Sequence, residues 1–286
     1  MTKKIKNLSF CGGGFYGYAE VGALKELDNY KEYFDIQKIS GVSVGSIIAA
    51  LFAVGYTSDE LSKIIFEMNF EDLIKDNYFT YYKIWNNFGM YDAVKLEEKI
   101  EELIREKTNI KFCTFSQIDI DLTIISTNLN YQRSRFFNRE LSPGIAISKA
   151  VRLSIGYPLI MSPVLFEGDL YGDGGESVNY PITIFENELD ETLGLTFASI
   201  NENIDGTLKT RMSINSFYDY LISIGLTMNR STYLSQIREK HLDRSIIIKI
   251  TENVSSMQFN LTLEQKKNIY ECGIQSVKEQ INKIIN

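Results

Sequence analysis

Histidine, cysteine, proline and tryptophan are all scarce in this chain of 286 residues. The three cysteines, Cys11, Cys113 and Cys272, are odd in number and lie far apart, which is typical of reduced thiols and not of a disulfide framework. With one histidine and no paired cysteines, the sequence offers no ligand set for a structural zinc ion. We therefore expect no disulfide, no metal and no cofactor.

The sequence also lacks an excess of positive charge and long apolar runs. Its net charge of −7 and its pI of about 5.0 argue against a general nucleic-acid-binding protein. No apolar run approaches the roughly 20 residues that span a bilayer, and no apolar signal-peptide segment follows the basic N-terminus. These absences predict a soluble, cytoplasmic protein. Peripheral contact with membranes stays open, because a local patch of basic and aromatic residues is enough for docking.

What the chain does contain is an alternation of short apolar runs with helical patterns. This order predicts an α/β fold with a largely parallel central sheet and helices on both faces. Strands are expected near residues 5–10, 36–40, 119–126, 193–200 and 245–250, and helices near 18–27, 46–53, 57–68, 94–104, 213–239 and 263–284. Residues 70–90 have no clean period, so a lid over a site and an irregular packed connection both fit them.

A serine stands at the centre of the small-residue pentapeptide Gly41-Val42-Ser43-Val44-Gly45. A predicted strand precedes this segment and a predicted helix follows it. Glycines flank such a strand-to-helix turn because the backbone is strained there and side chains crowd. The turn presents the central hydroxyl beside the first amides of the new helix, where Ser43 can act as a nucleophile.

Three consecutive glycines, Gly12, Gly13 and Gly14, lie between the first predicted strand and the first predicted helix. Backbone amides with no side chain in the way can stabilise a phosphate or the oxyanion of an acyl-transfer intermediate. With Gly17 the cluster also matches the dinucleotide pattern Gly-x-Gly-x-x-Gly. That pattern requires an acidic residue after the second strand, whereas here the serine turn follows the strand and Asp35 precedes it. A nicotinamide-binding fold is therefore disfavoured.

A serine nucleophile needs a base to accept its proton, and two candidates differ in their context. His241 has charged neighbours and precedes a predicted strand, so we expect a solvent-exposed histidine at the end of a helix. Asp173 lies in Gly172-Asp173-Gly174-Gly175, where a predicted strand ends in a glycine turn. An Asp-Gly pair can also be a plain β-turn, and the local sequence leaves that alternative open.

In order and spacing, the glycine cluster, the serine turn and the Asp173 turn resemble the motifs of the patatin-like phospholipases. Further segments agree with that family, and they are Gly17–Leu24, Thr127–Asn130, Ala150–Ser154, Tyr157-Pro158, Ser162–Val164 and Asn179–Pro181. The resemblance implies a single patatin-like phospholipase domain over residues 1–286, a variant of the α/β hydrolase architecture. The motifs would lie in a core of about residues 5–200, with helices and one strand in about residues 210–286.

By the same resemblance, Ser43 would be the nucleophile, Asp173 its base, and the amides of Gly12, Gly13 and Gly14 the oxyanion hole. The implied function is a lipid acyl hydrolase of phospholipase A type, which cleaves fatty-acyl esters through a Ser–Asp dyad and an acyl-enzyme intermediate. The implied partners are a phospholipid or other acyl-lipid substrate and, transiently, a membrane surface, with no nucleic acid. A requirement for a protein activator and the oligomeric state both stay open.

One position departs from the family pattern. Where the family usually has arginine or lysine two residues after the third glycine, this chain has Tyr16, which can form hydrogen bonds but carries no charge. The departure keeps a second interpretation open, a catalytically weak lipid-binding or regulatory protein on the same scaffold. Arg152 retains its place in the motif, and we expect it to be a structural or ion-paired residue.

Overall fold

The computed structural model describes residues 4–74, 86–199, 211 and 213–285. In these ranges the strands are β1 (Ile5–Phe10), β2 (Phe34–Val42), β3 (Gly89–Tyr91), β4 (Asp121–Asn128), β5 (Arg133–Phe137), β6 (Leu159–Met161), β7 (Val164–Phe166), β8 (Asp169–Gly172), β9 (Thr192–Ser199) and β10 (Ser245–Ile250). The helices are α1 (Gly17–Leu27), α2 (Val44–Ala53), α3 (Ser58–Glu67), α4 (Phe70–Ile74), α5 (Val94–Thr108), α6 (Ile147–Ser154), α7 (Phe217–Gln236), α8 (Glu239–Leu242), α9 (Leu263–Gln280) and α10 (Asn282–Ile285). Segments of 3-10 helix include Gly14–Tyr16, Gly174–Glu176 and Pro181–Glu191.

The central sheet follows the order β10-β9-β1-β2-β4-β8-β7. The strands from β10 to β4 pair in parallel, whereas β8 and β7 are antiparallel and β5 adds a further antiparallel partner to β4. A separate two-stranded sheet joins β3 and β6. The predicted α/β fold with a mostly parallel central sheet is confirmed. The sequence does not predict β5 or β7, because strands of five and three residues are too short to show a period.

Several predicted elements have recognisable caps in the sequence. Thr57 begins α3 through a capping box, in which its hydroxyl accepts from the amide of Glu60 and the Glu60 carboxylate accepts from the amide of Thr57.

The long helix predicted near 213–239 is shorter in the structure, since α7 ends at Gln236 and α8 follows as a separate turn. In the segment 70–90 the structure describes the helix α4 at the start and the strand β3 at the end. Residues 75–85, on which the choice between a lid and a packed connection depends, lie outside the described residues. None of the helices that the structure describes is both long and apolar enough to cross a bilayer.

Strand register brings the two predicted catalytic side chains to one level of the sheet. In the parallel pair of β2 and β4, Val42 lies opposite Ile125, so the next residue, Ser43, is level with Ser126. In the antiparallel pair of β4 and β8, Thr127 lies opposite Gly172. Because the two strands run in opposite directions, the residue after Gly172, Asp173, is level with the residue before Thr127, which is Ser126. Ser43 and Asp173 therefore follow the two strands that flank β4.

The C-terminal part of the chain packs directly on the motif-bearing part. β10 extends the central sheet beside β9, and α9 packs along α1. Two glycines allow the helix backbones to touch: a Cβ on Gly22 would lie 2.0 Å from the carbonyl oxygen of Tyr270, and one on Gly273 would lie 1.9 Å from that of Ala19. Because α1 directly follows the glycine cluster, this contact also supports the loop that carries the cluster.

Replacement of Gly273 by alanine is expected to lower the free energy of unfolding by about 1–3 kcal/mol, the usual cost of overpacking. The added methyl group meets backbone, which cannot rotate away, although alanine is intrinsically the better helix former. Gly144→Ala is the matched control, because no atom lies within 4 Å of a Cβ at that position. Urea unfolding followed by circular dichroism measures both variants. A Gly273→Ala protein as stable as the wild type would contradict the close contact of α1 and α9.

Candidate active site

Ser43 lies in the sharp turn between β2 and α2, with backbone angles of φ 52° and ψ −130°. A positive φ is costly for a residue with a side chain and persists only where neighbouring groups hold it. The amide of Ser43 donates to Ser154 Oγ at 2.8 Å, and Ser154 Oγ donates to the carbonyl of Ile125 at 2.5 Å. Ser46 Oγ donates to the carbonyl of Ser43 at 2.6 Å. These hydrogen bonds hold the strained serine turn in place.

The two glycines of the serine turn are required by space. A Cβ on Gly41 would lie 2.5 Å from the carbonyl oxygen of Gly45, and a Cβ on Gly45 would lie 2.6 Å from that of Cys11. Both atoms belong to backbone, so neither position accepts a larger residue without a shift of α2 or of β1. The two glycines of the serine motif are thus explained by backbone oxygens that lie too close for a side chain.

Asp173 accepts a hydrogen bond from Ser43 across the sheet. Ser43 Oγ lies 2.8 Å from Asp173 Oδ2, which also accepts from the amide of Gly156 at 3.3 Å. The other oxygen, Oδ1, accepts from the amide of Gly175 at 2.8 Å. Asp173 is only 2% exposed, and burial raises the pKa of its carboxyl above the ordinary value, against the opposing effect of these hydrogen bonds. The geometry therefore presents a desolvated base to the serine hydroxyl.

A second carboxyl group lies next to this base. Glu176 Oε1 accepts a hydrogen bond from the amide of Asp173 at 3.2 Å, which completes a capping box over Gly174–Glu176. Burial, and then repulsion from Asp173, raise the pKa of Glu176 to about 8. Glu176 is therefore mostly neutral at pH 7 and adds no full negative charge beside Asp173.

The glycine loop lies against the serine turn. A Cβ on Gly12 would be 3.4 Å from Ser43 Cβ, and Gly14 has a φ of 52°. The amide of Gly12 donates to the carbonyl of Asn179 at 2.9 Å, so the structure gives this predicted oxyanion donor another acceptor. No described residue accepts a hydrogen bond from the amides of Gly13 or Gly14. These two amides remain available to a ligand beside Ser43.

Tyr16 closes the far end of this loop. Its hydroxyl donates to the carbonyl of Val254 at 2.9 Å, and its ring centroid lies 5.6 Å from that of Phe197 in an edge-on contact. Tyr16 therefore ties the loop to the segment after β10 without adding charge. Arg152 is buried and donates to the backbone carbonyls of Asp92, Ile155 and Ser162, so the expected structural role fits its contacts.

A cavity of about 770 Å³ is lined by Ser43, Asp173 and the glycine loop. Its volume is within the range of ligand-binding cavities in proteins. Much of its wall is apolar, with contributions from Val44, Ile48, Phe197, Leu226, Met257 and Phe259. Among the described residues of the wall, the charged side chains are those of Asp173 and Arg230. Such a wall suits an extended hydrocarbon chain.

His241 does not belong to this site, and the expectation of a solvent-exposed histidine is wrong. The side chain is 3% exposed, its Nδ1 accepts from the amide of Arg238, and its Nε2 lies 2.8 Å from Glu186 Oε2. His241 lies in the short helix α8. Its charged neighbours in the sequence indicate a surface position and do not predict that the side chain is buried. All three cysteines are buried free thiols, and Cys11 lines the cavity beside the glycine loop.

Sequence patterns missed several residues around the dyad. Ser154 is the last residue of the segment Ala150–Ser154 and Gly156 follows that segment, yet nothing in their types indicates contact with Ser43 and Asp173. Glu176 could have been noticed as a capping residue three positions after Asp173. Arg230 and its helix lie far away in sequence from every motif, so only the fold shows that they reach the cavity.

The end of β2 beside the glycine loop, Ser40–Val42, offers no acidic partner for a dinucleotide. Asp35 lies near the start of β2, whereas the glycine loop lies near the opposite end of that strand. A ribose hydroxyl beside the glycine loop would therefore not reach this carboxylate.

Known proteins resemble this chain in sequence. A family model for patatin-like phospholipases matches residues 8–186, which include the glycine loop, Ser43 and Asp173. A protein of Acanthamoeba polyphaga mimivirus is 64% identical over 284 residues, which cover 99% of this chain and 96% of that protein. A probable lipid hydrolase of Invertebrate iridescent virus 6 is 29% identical over 191 residues, 64% of this chain and 63% of that one.

A solved structure gives the same result for the fold. VipD from Legionella pneumophila superposes with a TM-score of 0.69 over 97% of this chain and 67% of VipD. At 14% sequence identity this likeness concerns the fold alone. The family model, in contrast, rests on sequence and spans more than half of the chain. The chain therefore belongs to the patatin-like phospholipase family.

Proposed function

We propose that this protein is a lipid acyl hydrolase of phospholipase A type in which Ser43 and Asp173 form the catalytic dyad. The observation that carries the proposal is the 2.8 Å hydrogen bond from Ser43 Oγ to Asp173 Oδ2 in a largely apolar cavity. Membership of the patatin-like phospholipase family supports lipid esters as the substrates. The iridescent virus relative, whose name describes a probable lipid hydrolase, supports the same class.

In the first half of the proposed reaction, Ser43 Oγ attacks the carbonyl carbon of a fatty-acyl ester. Its proton passes to Asp173 Oδ2, for which the hydrogen bond already has the required length. The tetrahedral intermediate then collapses, the bond to the leaving alcohol breaks, and the alcohol oxygen takes the proton from Asp173. The product is an acyl group esterified to Ser43.

In the second half, water takes the place of the alcohol. Asp173 accepts a proton from water as the water oxygen attacks the acyl carbon, and a second tetrahedral intermediate forms. When it collapses, the bond to Ser43 Oγ breaks, Ser43 regains a proton from Asp173, and the fatty acid leaves. One carboxylate thus serves as base and then as acid in each half, as microscopic reversibility requires.

The oxyanion of each tetrahedral intermediate needs hydrogen-bond donors at a fixed position. We assign this role to the amides of Gly13 and Gly14, with Val44 at the first position of α2 as a further donor. Gly12 contributes space rather than a donor, because its amide is bonded to Asn179 and a Cβ there would lie 2.5 Å from Asn179 Oδ1. Removal of a single oxyanion donor typically costs on the order of 100-fold in rate.

A catalytically weak lipid-binding protein is the second candidate, and Tyr16 is the observation that favours it. The loop lacks the positive charge that is usual in the family, although its hydrogen bond to Val254 keeps it anchored. A fluorophosphonate probe separates the two functions. Labelling of Ser43 supports the hydrolase, and persistent absence of labelling supports the binding protein.

The proposed substrates lie in membranes, and one helix face suits contact with them. Four large apolar residues of α7 are at least 40% exposed at spacings of three or four, and they are Phe217, Tyr220, Ile224 and Met228. This spacing aligns them on one side of the helix, which we call the α7 stripe. Other residues of α7 line the cavity. We infer that the α7 stripe contacts a lipid surface while the cavity takes up an acyl chain.

Ser43→Ala and Asp173→Asn are each expected to lower ester hydrolysis on the order of 10³-fold or more, because the nucleophile or its base is lost. The assay measures fatty acid released from phosphatidylcholine in mixed micelles. Ser235→Ala, which removes an exposed hydroxyl at the end of α7, is the matched control and should retain wild-type activity. Thermal unfolding verifies that all three variants are folded. Full activity of either dyad variant would overturn the assignment.

The raised pKa of Glu176 predicts a pH-dependent stability. Between the ordinary value of 4.5 and about 8 the folded protein holds a proton that the unfolded chain releases, so stability declines as pH rises through this window. The decline amounts to at most about 1.4 kcal/mol per pH unit. Glu176→Gln removes it and keeps an oxygen acceptor for the Asp173 amide.

Melting temperatures of wild type and Glu176→Gln should therefore diverge by several degrees between pH 5 and pH 8, with the variant more stable at pH 8. Glu140→Gln, at an exposed turn, is the control and should follow the wild type. Parallel curves for Glu176→Gln and the wild type across the window would contradict a neutral Glu176.

The α7 stripe predicts weaker lipid binding when its apolar surface is reduced. The double variant Ile224→Ser, Met228→Ser should bind phosphatidylcholine vesicles about tenfold or more weakly in a sedimentation assay. Leu141→Ser, which alters a 55% exposed leucine elsewhere, should bind like the wild type. Unchanged binding of the double variant would refute the inference. A change in its oligomeric state instead would assign the stripe to contact between copies.

A further inference from the structure

Two asparagine side chains, Asn179 and Asn229, come together beside the Asp173 turn. Asn179 follows the 3-10 segment Gly174–Glu176, whereas Asn229 belongs to α7. Both are half-buried, and both line the cavity that contains Ser43. They lie in separate elements of the chain, so only the fold brings the two carboxamides to one place.

Gly175 marks the point around which these groups lie. A Cβ there would meet three polar side-chain atoms, and they are Asn179 Oδ1 at 2.7 Å, Asp173 Oδ1 at 3.0 Å and Asn229 Nδ2 at 3.3 Å. Two of these atoms are hydrogen-bond acceptors and the third is a donor. The base of the proposed dyad therefore has a second acceptor and a donor next to it.

The oxygen of Asn179 is also close to the nucleophile. A Cβ on Gly12 would lie 2.5 Å from Asn179 Oδ1 and 3.4 Å from Ser43 Cβ. The Nδ2 atom of the same carboxamide lies 3.8 Å from Cys11 Sγ, to which it donates. Oδ1 is thus the atom that Asn179 directs to the space between the nucleophile and the base.

Both carboxamides keep hydrogen-bonding capacity for a small polar molecule. Within the part of the chain that the structure describes, no group donates to Asn179 Oδ1 and none bonds to the Asn229 side chain. Polar atoms on a largely apolar cavity wall are costly unless a ligand or water bonds to them. The two groups therefore suit a molecule that both donates and accepts.

The position of α7 relative to the dyad is fixed by polar contacts. Thr232 Oγ1 donates to the carbonyl of Glu176 at 3.2 Å, and Gln236 Nε2 donates to that of Ser177 at 2.7 Å. These contacts hold the helix to the segment that follows Asp173. On the other side, the carbonyl of Asn179 accepts from the amide of Gly12 at 2.9 Å, so main-chain bonding holds this residue.

A water molecule that attacks an acyl-enzyme has two hydrogens and two lone pairs. One hydrogen passes as a proton to Asp173 Oδ2, and one lone pair forms the bond to the acyl carbon. The second hydrogen still needs an acceptor and the second lone pair a donor. Asn179 Oδ1 and Asn229 Nδ2 supply one of each, and a bound water typically makes about three hydrogen bonds.

We propose that Asn179 and Asn229 bind the water that hydrolyses the acyl-enzyme, with Asn179 Oδ1 as acceptor and Asn229 Nδ2 as donor. The water oxygen bonds to the acyl carbon, its proton moves to Asp173, the bond to Ser43 Oγ breaks, and Ser43 takes that proton. This inference rests on the proposed function.

The arrangement distinguishes water from an alcohol as the acyl acceptor. An alcohol has carbon in place of the second hydrogen, so it cannot donate to Asn179 Oδ1 after its proton passes to Asp173. It keeps a lone pair for Asn229 Nδ2. Asn179 therefore makes the site selective for hydrolysis over transfer to alcohols, whereas Asn229 assists both reactions.

The first arm of the test measures how the acyl group is divided between water and methanol. Wild type and variants turn over a long-chain p-nitrophenyl ester at one fixed methanol concentration, and mass spectrometry quantifies the fatty acid and the methyl ester. Asn179→Ala should raise the ratio of methyl ester to fatty acid about tenfold, because water alone loses a hydrogen bond. Asn229→Leu should keep the ratio within about twofold. The ratio is independent of which step limits turnover.

The second arm times the loss of the acyl group. With the protein in excess over the ester, acid quench at intervals follows the acyl mass on the peptide that contains Ser43. Asn179→Ala and Asn229→Leu should each lose the acyl group about tenfold more slowly in water. Asn268→Leu makes the same change at an exposed position of α9, so it is the matched control and should match the wild type. Thermal unfolding verifies that the variants are folded.

The possible results separate this inference from the proposed function. Equal losses of hydrolysis and methanolysis in Asn179→Ala would make Asn179 a structural residue and overturn the inference. Unchanged deacylation in both variants would also overturn it, while the acyl adduct at Ser43 would still support the hydrolase. A wild type that forms neither product nor adduct would refute the proposed function, and this inference with it.

Discussion

The hydrogen bond between Ser43 and Asp173 depends on the register of β4 with its two neighbours. β2 places Ser43 at the level of Ser126 from one side, and β8 places Asp173 at the same level from the other. A slip of one residue in either pairing would turn the strand's side chains to the opposite face and separate the two groups. The positive φ of Ser43 is the second constraint, and Ser154 and the flanking glycines hold it. The contact of α1 with α9 supports the same region from the C-terminal part of the chain.

Burial shifts the pKa values of the two carboxyl groups at the candidate site. Removal from water raises the pKa of both Asp173 and Glu176. Three hydrogen-bond donors to the Asp173 carboxylate oppose this rise at Asp173, whereas repulsion from Asp173 adds to it at Glu176. Repulsion from the Asp173 carboxylate thus adds to burial in favouring the neutral form of Glu176. The cavity has a single described cation on its wall, Arg230. In the proposed reaction Asp173 moves the proton between Ser43, the leaving alcohol and water.

Much of the fold and the centre of the site were predictable from sequence, and the remainder depended on contacts distant in the chain. The serine turn, the cap at Thr57 and the parallel strands follow from local patterns, because glycine spacing, capping residues and apolar runs report local geometry. The antiparallel strands β5 and β7 are too short to show a period. Burial of His241 depends on α8 and Glu186. The acceptor of the Gly12 amide, Asn179, lies far along the chain, so no local pattern indicates that this amide is already bonded.

In the proposed mechanism Ser43 forms a covalent acyl intermediate, and Asp173 is its base. The most direct measurement is mass spectrometry of proteolytic peptides after rapid acid quench of the wild-type protein with a long-chain p-nitrophenyl ester. If Ser43 is the nucleophile and Asp173 its base, the peptide that contains Ser43 gains the mass of the acyl group together with a burst of p-nitrophenol, and Asp173→Asn forms little or no adduct. An adduct on a different residue, or equal acylation in Asp173→Asn, would contradict it.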